Sequence, residues 1–478
     1  MFAEPALLPA HASAPRPAPQ PAAQPRIGGA ATTALRVGLI GVGTVGTGVW
    51  QLLARNQSLL AARAGRGIAI TAVATRSPGR AAPLLAAVPG VRLLGDPLAL
   101  AADPGVDVVL ELAGGADAPL PWLLAALAHG KHVVTANKAL LARHGAQLAA
   151  AAARSGRVLA YEAAVAGAVP VLKTLREALA ANRIDALAGI LNGTSNFILT
   201  RMAAHGSSYA AALAEAQALG YAEADSTLDV NGQDAAHKLA LLAANAFGAP
   251  LREGAVHAEG IAQLQPGDLA AAAHLGYAVR LLALARRVPS LQGGQGLELR
   301  VHPALLPLSH PLARVEGAGN ALLVHADAAG PLLLCGAGAG AAPTASAVLA
   351  DLVDLARGAG AAQAVPTFGV PAEGGAALAP VPLDQACGRH LLRVLPGRAL
   401  CEAGAVRLLA RAGVAVRRRA WLCPDGPGQG PQLLLLTAAA PDGVARAAAL
   451  QLQAATGAQV RHLRVHEEED EEKEGDGA

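Results

Sequence analysis

The densest run of reactive side chains lies between Gly220 and Leu239. There Glu223, Asp225 and Asp229 precede Asn231-Gly232, and Asp234 and Lys238 follow it. The three acids read as loop residues, the Asn-Gly pair as a turn, and the i, i+4 spacing of Asp234 and Lys238 as one face of a helix. An acid and an amine sharing a face can move a proton. Lys238 would protonate or deprotonate the oxygen of a carbonyl/alcohol pair while a hydride passes at carbon, with Asp234 beside it. Taken alone, this spacing is more often a solvated ion pair. The lysine count sharpens the reading, because the 38 cationic residues are 33 Arg and only five Lys. Lys gives up its proton at modest cost and Arg does not. Two of the five, Lys138 and Lys238, stand where chemistry could use them.

A nicotinamide needs a binding element, and one is legible near the start. Arg36-Val37-Gly38-Leu39-Ile40 reads as a buried strand, Gly41-Val42-Gly43-Thr44-Val45-Gly46 follows it directly, and a helix over Thr47 to Leu60 comes next. Gly41 permits a tight turn, Gly43 lets the backbone approach a pyrophosphate, and Gly46 lets helix and strand pack closely. Thr44 and Val45, in the same turn, are read as cofactor-binding too, ahead of the helix whose N-terminus faces the anion. The bland alternative is a glycine-rich turn in a chain with 54 Gly. The second strand ends in Thr75-Arg76-Ser77, where an NAD site would place a carboxylate. Arg76, with Arg80 behind it, suits a 2′-phosphate instead, so NADP is expected ahead of NAD.

These elements belong to a chain long enough for two or three domains. Residues 1–34 are Pro- and Ala-rich and read as a disordered leader, with a transit peptide as the alternative. Residues 35–170 alternate strands (Ile68 to Val73, Val106 to Leu112) with helices (Leu120 to Ala128, Ala139 to Ala153), which implies a parallel sheet covered by helices. Lys173 to Glu177 reads as the opening of a further helix. Residues 171–329 are read as a mixed α+β domain for substrate binding and dimerisation, with helices at Ala210 to Leu219 and Ala235 to Phe247 and strands around Val301 to Leu308. Residues 330–357 are expected to return to the first domain. Residues 358–385 look like a linker. Residues 386–466 follow a β-α-β-β-α-β order, the split βαβ of ferredoxin-like modules. Residues 467–478 form an acidic tail: Glu467 to Asp476 holds eight acids and one Lys, net −7, leaving +10 on the other 468 residues. The fold class expected is α/β, with a Rossmann domain, an α+β domain and a ferredoxin-like domain.

Composition excludes several classes. Four Cys without CxxC or zinc-ligand spacing make neither a disulfide framework nor a thiolate zinc site. The Arg surplus is diffuse and aromatics are 2 % of the chain, which argues against nucleic acid as a partner. Neither a signal peptide nor a membrane-length apolar run is evident, so a soluble, cytoplasmic protein acting on a small molecule is expected.

The motifs together resemble homoserine dehydrogenase. The likeness rests on Glu-x-Asp-x-x-x-Asp followed by Asn-Gly-x-Asp-x-x-x-Lys, after Leu191-Asn192-Gly193-Thr194-Ser195-Asn196-Phe197-Ile198. It extends to Glu111 to Gly115, Gly130 to Leu141, Tyr161 to Pro170, and Gly336 to Gly340 running into Pro343 to Val348. These occur in the family's order over about residues 35–357. The resemblance implies reversible NAD(P)-dependent interconversion of L-homoserine and L-aspartate 4-semialdehyde, in the route to threonine and methionine. By it, Lys238 matches the proton donor/acceptor with Asp234 beside it, and Glu223 matches the substrate-binding carboxylate, whose charge suits the substrate's ammonium group. Asp229 supports Glu223 or the substrate, and Lys138 lies near cofactor and substrate. Thr135 and Gly336 match cofactor-lining positions. Glu162, Val165, Gly167 and Val169 match a monovalent-cation site, such as one for sodium, built mostly from backbone carbonyls. Read from the residues alone, that turn is a Gly hinge.

Ser226 stands where the family usually has Pro, and Ala168 replaces a common Gly and is expected to strain the cation turn. The C-terminal segment resembles a degenerate ACT module, an amino-acid sensor, with threonine as the effector it implies. Leu395 to Leu400 departs from the usual turn of that module, and Pro424 to Pro431 looks inserted. The family implies a homodimer. Two rival readings stay open: a related NADP oxidoreductase of another amino-acid aldehyde, and a non-catalytic amino-acid sensor.

Overall fold

The computed structural model describes residues 33–252, 254–290, 293–362, 367–369, 378–395, 401–423 and 430–467. Residues 1–32 of the leader, most of the acidic tail, the Pro396 to Leu400 turn and most of the Pro424 to Pro431 segment therefore lie outside the described residues.

Six short strands form the first sheet: β1 (Leu35–Ile40), β2 (Ile68–Ala74), β3 (Arg92–Leu94), β4 (Val108–Glu111), β5 (His132–Thr135) and β6 (Leu159–Ala160). Their order is 3-2-1-4-5-6 and every pairing is parallel. β1, β4 and β5 are almost wholly buried, because a parallel sheet has helices on both faces and its strands read as continuous Val, Leu and Ile. The order reverses between β1 and β4. Beyond the carboxyl ends of those strands such a sheet leaves a crevice for a ligand. The helix Ala341–Ala362, late in the chain, shares an apolar cluster with β1 and the first helix: Val348 and Leu352 pack with Val37 and Val49.

The second sheet contains β7 (Ile184–Ile190), β8 (His257–Ala258), β9 (Tyr277–Pro289), β10 (Gln295–Pro307), β11 (Gly319–Ala326), β12 (Gly330–Ala337), β13 (Ala379–Pro380), β14 (Cys387–Val394), β15 (Val416–Leu422), β16 (Gln432–Thr437), β17 (Ala440–Pro441) and β18 (Val460–Val465). Its main path runs 12-11-7-9-10-18-14-16-15. β9 and β10 pair antiparallel over their full 13 residues. The four strands of the last module take the order 18-14-16-15, that of a split βαβ ferredoxin-like unit, with helices Glu402–Arg411 and Asp442–Thr456.

That module does not hang free. β18 pairs parallel with β10 at Ala304↔Arg464 and Leu305↔Val465, and β13, inside the stretch read as a linker, pairs with β10 at Gly296 and Leu297. Arg393 and Arg461 both reach the fully buried Asp268, whose carboxylate also caps its own helix at Gln265.

Several elements differ from the sequence reading. The helix after the glycine turn is Thr44–Arg55, and a second, Gln57–Ala64, follows it. Lys173 ends a single turn, Val171–Lys173, that passes into a wider π turn over Thr174–Ala178. Asp229 is not on a loop but on the one-turn helix Thr227–Val230, which Asp225 starts by accepting from the Thr227 N–H.

Candidate active site

The carboxyl edge of the parallel sheet gathers the residues expected to meet a dinucleotide. Gly41 follows β1 with φ +98°, and a Cβ there would meet the Leu112 carbonyl and the Ala113 N–H at 2.7 Å. A Cβ on Gly46 would come within 2.3 Å of the Gly41 carbonyl, so helix and turn can touch only through glycine. Gly43 caps the helix begun by Thr44 and Val45, and nothing lies within 4 Å of where its Cβ would be. Open space at a helix N-terminus is what a pyrophosphate requires. Arg76 and Arg80 are exposed just past β2.

At the neighbouring strand ends Glu111 is completely buried. It accepts from the Ala113 and Gly114 N–H groups and from the Thr135 hydroxyl at 2.7 Å, and burial still pushes its carboxyl above the ordinary range. Thr135 is likewise fully buried, and its hydroxyl also receives the Asn137 N–H. It braces the ends of β4 and β5 and presents no free donor to the cleft. Gly336 lies on β12, with Val169 against it.

Lys138 is the first residue of the helix that follows β5, capped by Asn137. A cation is disfavoured at a helix N-terminus, and Asp234 compensates. Its Oδ1 lies 2.8 Å from Lys138 Nζ and its Oδ2 2.8 Å from Lys238 Nζ. Burial works against the Lys138 ammonium, yet the carboxylates of Asp234, Asp229 and Glu223 outweigh it and hold its pKa up. Burial also opposes the Asp234 charge, and the two ammonium groups overcome it, holding that carboxyl far below the usual range. Asp234 sits in the first turn of the Gln233–Phe247 helix, where the helix dipole adds to the effect.

Lys238 is 8 % exposed and also donates to the Leu191 carbonyl at 2.6 Å. The amine is thus fixed between one carboxylate and one carbonyl, beside the sheet edge that carries the glycine turn. Asp229 is half-buried and Glu223 exposed. Burial, reinforced by the nearby Asp234 charge, raises the Asp229 carboxyl.

Two residues escaped the sequence reading as site members. Asn192 Nδ2 donates to both Asp229 (2.7 Å) and Asp234 (2.9 Å), tying the short acid-bearing helix to the lysine-bearing one. Its place before Gly193-Thr194-Ser195, as a helix cap accepting from Ser195, was the available signal. Asn320 is 1 % exposed and donates to the same Leu191 carbonyl as Lys238, at 3.1 Å. A Cβ on Gly338 would fall 2.0 Å from its Cγ, so the Gly336-to-Gly340 segment packs directly on the amide that shares the Leu191 carbonyl with Lys238. No spacing rule points to Asn320.

The turn at Glu162 is built differently from expectation. Ala166 (φ 55°) and Gly167 (φ 57°) carry the left-handed conformations, and Ala168 is not among the residues with positive φ, so the strain falls on Ala166. The Glu162 side chain accepts from the Leu172 and Lys173 N–H groups, and its own N–H donates to Asp351. Burial, with each acid's charge on its neighbours, pushes Glu162 up to about 7; burial pushes Asp351 up to about 6 despite Lys173. Val165, Gly167 and Val169 are buried in the same turn.

A cavity of about 650 Å³ lies apart from all these residues, lined by Arg183, Asp185, Arg286 and Arg287 among others. Converging charge, not cavity size, marks the site.

The family model described as homoserine dehydrogenase matches residues 170–353, and that of its NAD binding domain matches residues 41–162. Homoserine dehydrogenase of Pseudomonas aeruginosa is 50 % identical over 328 residues, 68 % of this chain and 72 % of that protein. The enzyme of Neisseria gonorrhoeae is 45 % identical over 362 residues, 75 % and 81 % of the two chains. The crystal structure of a homoserine dehydrogenase from Thiobacillus denitrificans, 41 % identical, superposes with a TM-score of 0.83 over 91 % of this chain and 99 % of that one. No helix among the described residues is long and apolar enough to cross a membrane. With a glycine turn open to a pyrophosphate beside a buried acid shared by two lysines, and with relatives alike over most of its length, this chain belongs to the homoserine dehydrogenase family, the NAD(P)-dependent oxidoreductases of homoserine.

Proposed function

We propose that Lys238 is the proton donor and acceptor in the interconversion of L-aspartate 4-semialdehyde and L-homoserine, with NADPH as the preferred reductant. The observation that carries this reading is the single buried carboxylate, Asp234, held between Lys138 and Lys238 at 2.8 Å from each. The nicotinamide supplies the hydride when bound. Lys238 gives the aldehyde oxygen its proton as that oxygen takes up charge, and takes it back in the reverse direction. Asp234 and the Leu191 carbonyl fix where Nζ points, so the amine needs no reorientation during the reaction. Glu223, exposed at the mouth, binds the substrate ammonium, and Asp229 supports it. Lys138 supplies positive charge for the substrate carboxylate.

Arg76 and Arg80, in a segment without a carboxylate, favour a 2′-phosphate. The turn of Glu162, Val165, Gly167 and Val169, the last three buried, is the proposed seat of a monovalent cation. Backbone oxygens suit a hard ion. The remaining parts of the reading are a homodimer formed through the second sheet's domain and an ACT-like amino-acid sensor at the C-terminus that takes threonine, in a cytoplasmic enzyme.

The test is NADPH and NADH oxidation with L-aspartate 4-semialdehyde. A kcat/KM ratio favouring NADPH that collapses in Arg76→Ala is the expected result. Equal use of both cofactors by the wild type, or a ratio unmoved by the substitution, overturns the NADP assignment. Absence of turnover overturns the catalytic one.

A further inference from the structure

Within the C-terminal module lies a cluster that the reaction does not use. His390 is on β14, His462 on the adjacent β18, and Asp442 opens the Asp442–Thr456 helix. One nitrogen from each ring and one Asp442 oxygen all lie within 4.8 Å of one another. His390 and Asp442 are 2 % and 0 % exposed.

The hydrogen bonds fix which atoms face the centre. His390 Nε2 lies 3.2 Å from the Ala440 carbonyl, and only an N–H can serve that oxygen. Nδ1 of His390 therefore carries a lone pair, and it faces His462 Nε2 at 2.9 Å. Arg464 holds the Asp442 carboxylate from behind at 2.5 and 3.3 Å and reaches Glu259 with its other nitrogen at 2.6 Å. Burial opposes the Asp442 charge, and that guanidinium keeps its carboxyl below the ordinary range. Burial keeps both imidazoles neutral, His390 lowered and His462 down to about 3. One imidazole with its lone pair turned inward, a second whose Nε2 proton it shares, and a carboxylate held by Arg464 are thus gathered, with outer partners already in place: Ala440 behind one ring and Arg464 behind the acid.

We propose that His390, His462 and Asp442 form a binding site for a divalent cation of the zinc class. Two nitrogens and one carboxylate oxygen are a borderline donor set, suited to Zn²⁺ or Co²⁺ and not to Mg²⁺ or Ca²⁺. Tetrahedral Zn–N bonds of about 2.0–2.1 Å place two nitrogens about 3.3 Å apart, so the rings part by only about 0.4 Å. The metal takes the place of the proton between the rings, and that proton moves to His462 Nδ1, so both imidazoles stay neutral. His462 is half-buried, and a water entering from its side would be the fourth ligand of the proposed site.

The experiment uses untagged, full-length protein stripped with a chelator and titrated with Co²⁺, followed by displacement with Zn²⁺. One equivalent of Co²⁺ per chain, with the intense visible absorption of a tetrahedral ion that Zn²⁺ abolishes, is the expected result. His462→Gln should weaken binding at least about tenfold, while homoserine dehydrogenase activity without added metal, which reports the fold, stays at the wild-type level. Weak, unsaturated uptake by the exposed histidines, saturation with only a pale octahedral spectrum, or undiminished affinity in His462→Gln would each overturn the proposal. Should that variant fail to fold, the wild-type spectrum and stoichiometry decide alone, and Asp442→Asn gives a second loss.

Discussion

Asp234 and the Glu162–Asp351 pair are buried acids of one molecule with opposite fates. Asp234 lies between two ammonium groups and an amide, so it stays ionised well below the usual range. Glu162 gives its backbone N–H to Asp351, Lys173 stays 3.8 Å from Asp351 and is drawn mainly to Asp354, and both carboxyls are raised. Burial is common to the three. The number of cations within reach decides the charge, and so separates an acid that holds two ammonium groups from a pair that, among the described residues, has no cation at salt-bridge distance on both members.

The sharpest way to break the contrast is to remove an amine from the first region. Lys238→Met should lower kcat about 10²- to 10⁴-fold, as expected for loss of a proton-transfer group, with KM for NADPH little changed; steady-state kinetics in both directions would reveal a retained rate. Next comes the acid itself. Asp234→Asn leaves two cations near a neutral amide and should cost on the order of 3 kcal/mol in denaturant unfolding. It should also flatten the acid limb of stability, because a depressed carboxyl contributes above its unfolded value and loses that contribution as pH falls through the acid range.

The second region has the reverse sign. Glu162 and Asp351 hold protons in the folded protein that the unfolded chain has already released. Their contribution is present below the unfolded carboxyl range and disappears as pH climbs towards 7. Asp351→Asn should flatten the decline between pH 5 and 7 by up to about 1.4 kcal/mol per pH unit, read from melting curves at the two ends. Unchanged slopes would mean that the pair is already balanced. The smallest effect expected is that of Asn320→Ala, which frees the Leu191 carbonyl on one side. A fall of about three- to tenfold in kcat, the worth of one hydrogen bond, with a shifted pH profile would mark it as a positioning residue.

How much of this could be read from the residues depended on distance along the chain. The parallel sheet was legible because its strands are short Val, Leu and Ile runs between turn residues. The long strand Tyr277–Pro289 was not, since Ala and Leu fill it without alternation and suit a helix as well. Asp234 and Lys238 are four residues apart, and their shared face followed from helical geometry. The contact of Glu162 with Asp351 spans 189 residues, and that of Asn320 with Leu191 spans 129. No local pattern encodes either. The expected strain at Ala168 was misplaced by two positions, because which residue of a turn takes positive φ is set by the hydrogen bonds around it, here Ala168 N–H to Ala337 and Val169 N–H to Ala166.

The parallel seam between β10 and β18 has a cost that appears only when the chain is shortened. Cut away residues beyond about 386, and Ala304 and Leu305 lose the neighbour that satisfies their backbone. An apolar margin of a large sheet then faces water with unfilled donors and acceptors, and a second molecule can dock there strand to strand. The terminal module thus covers a sheet edge that would otherwise stand open to a second copy.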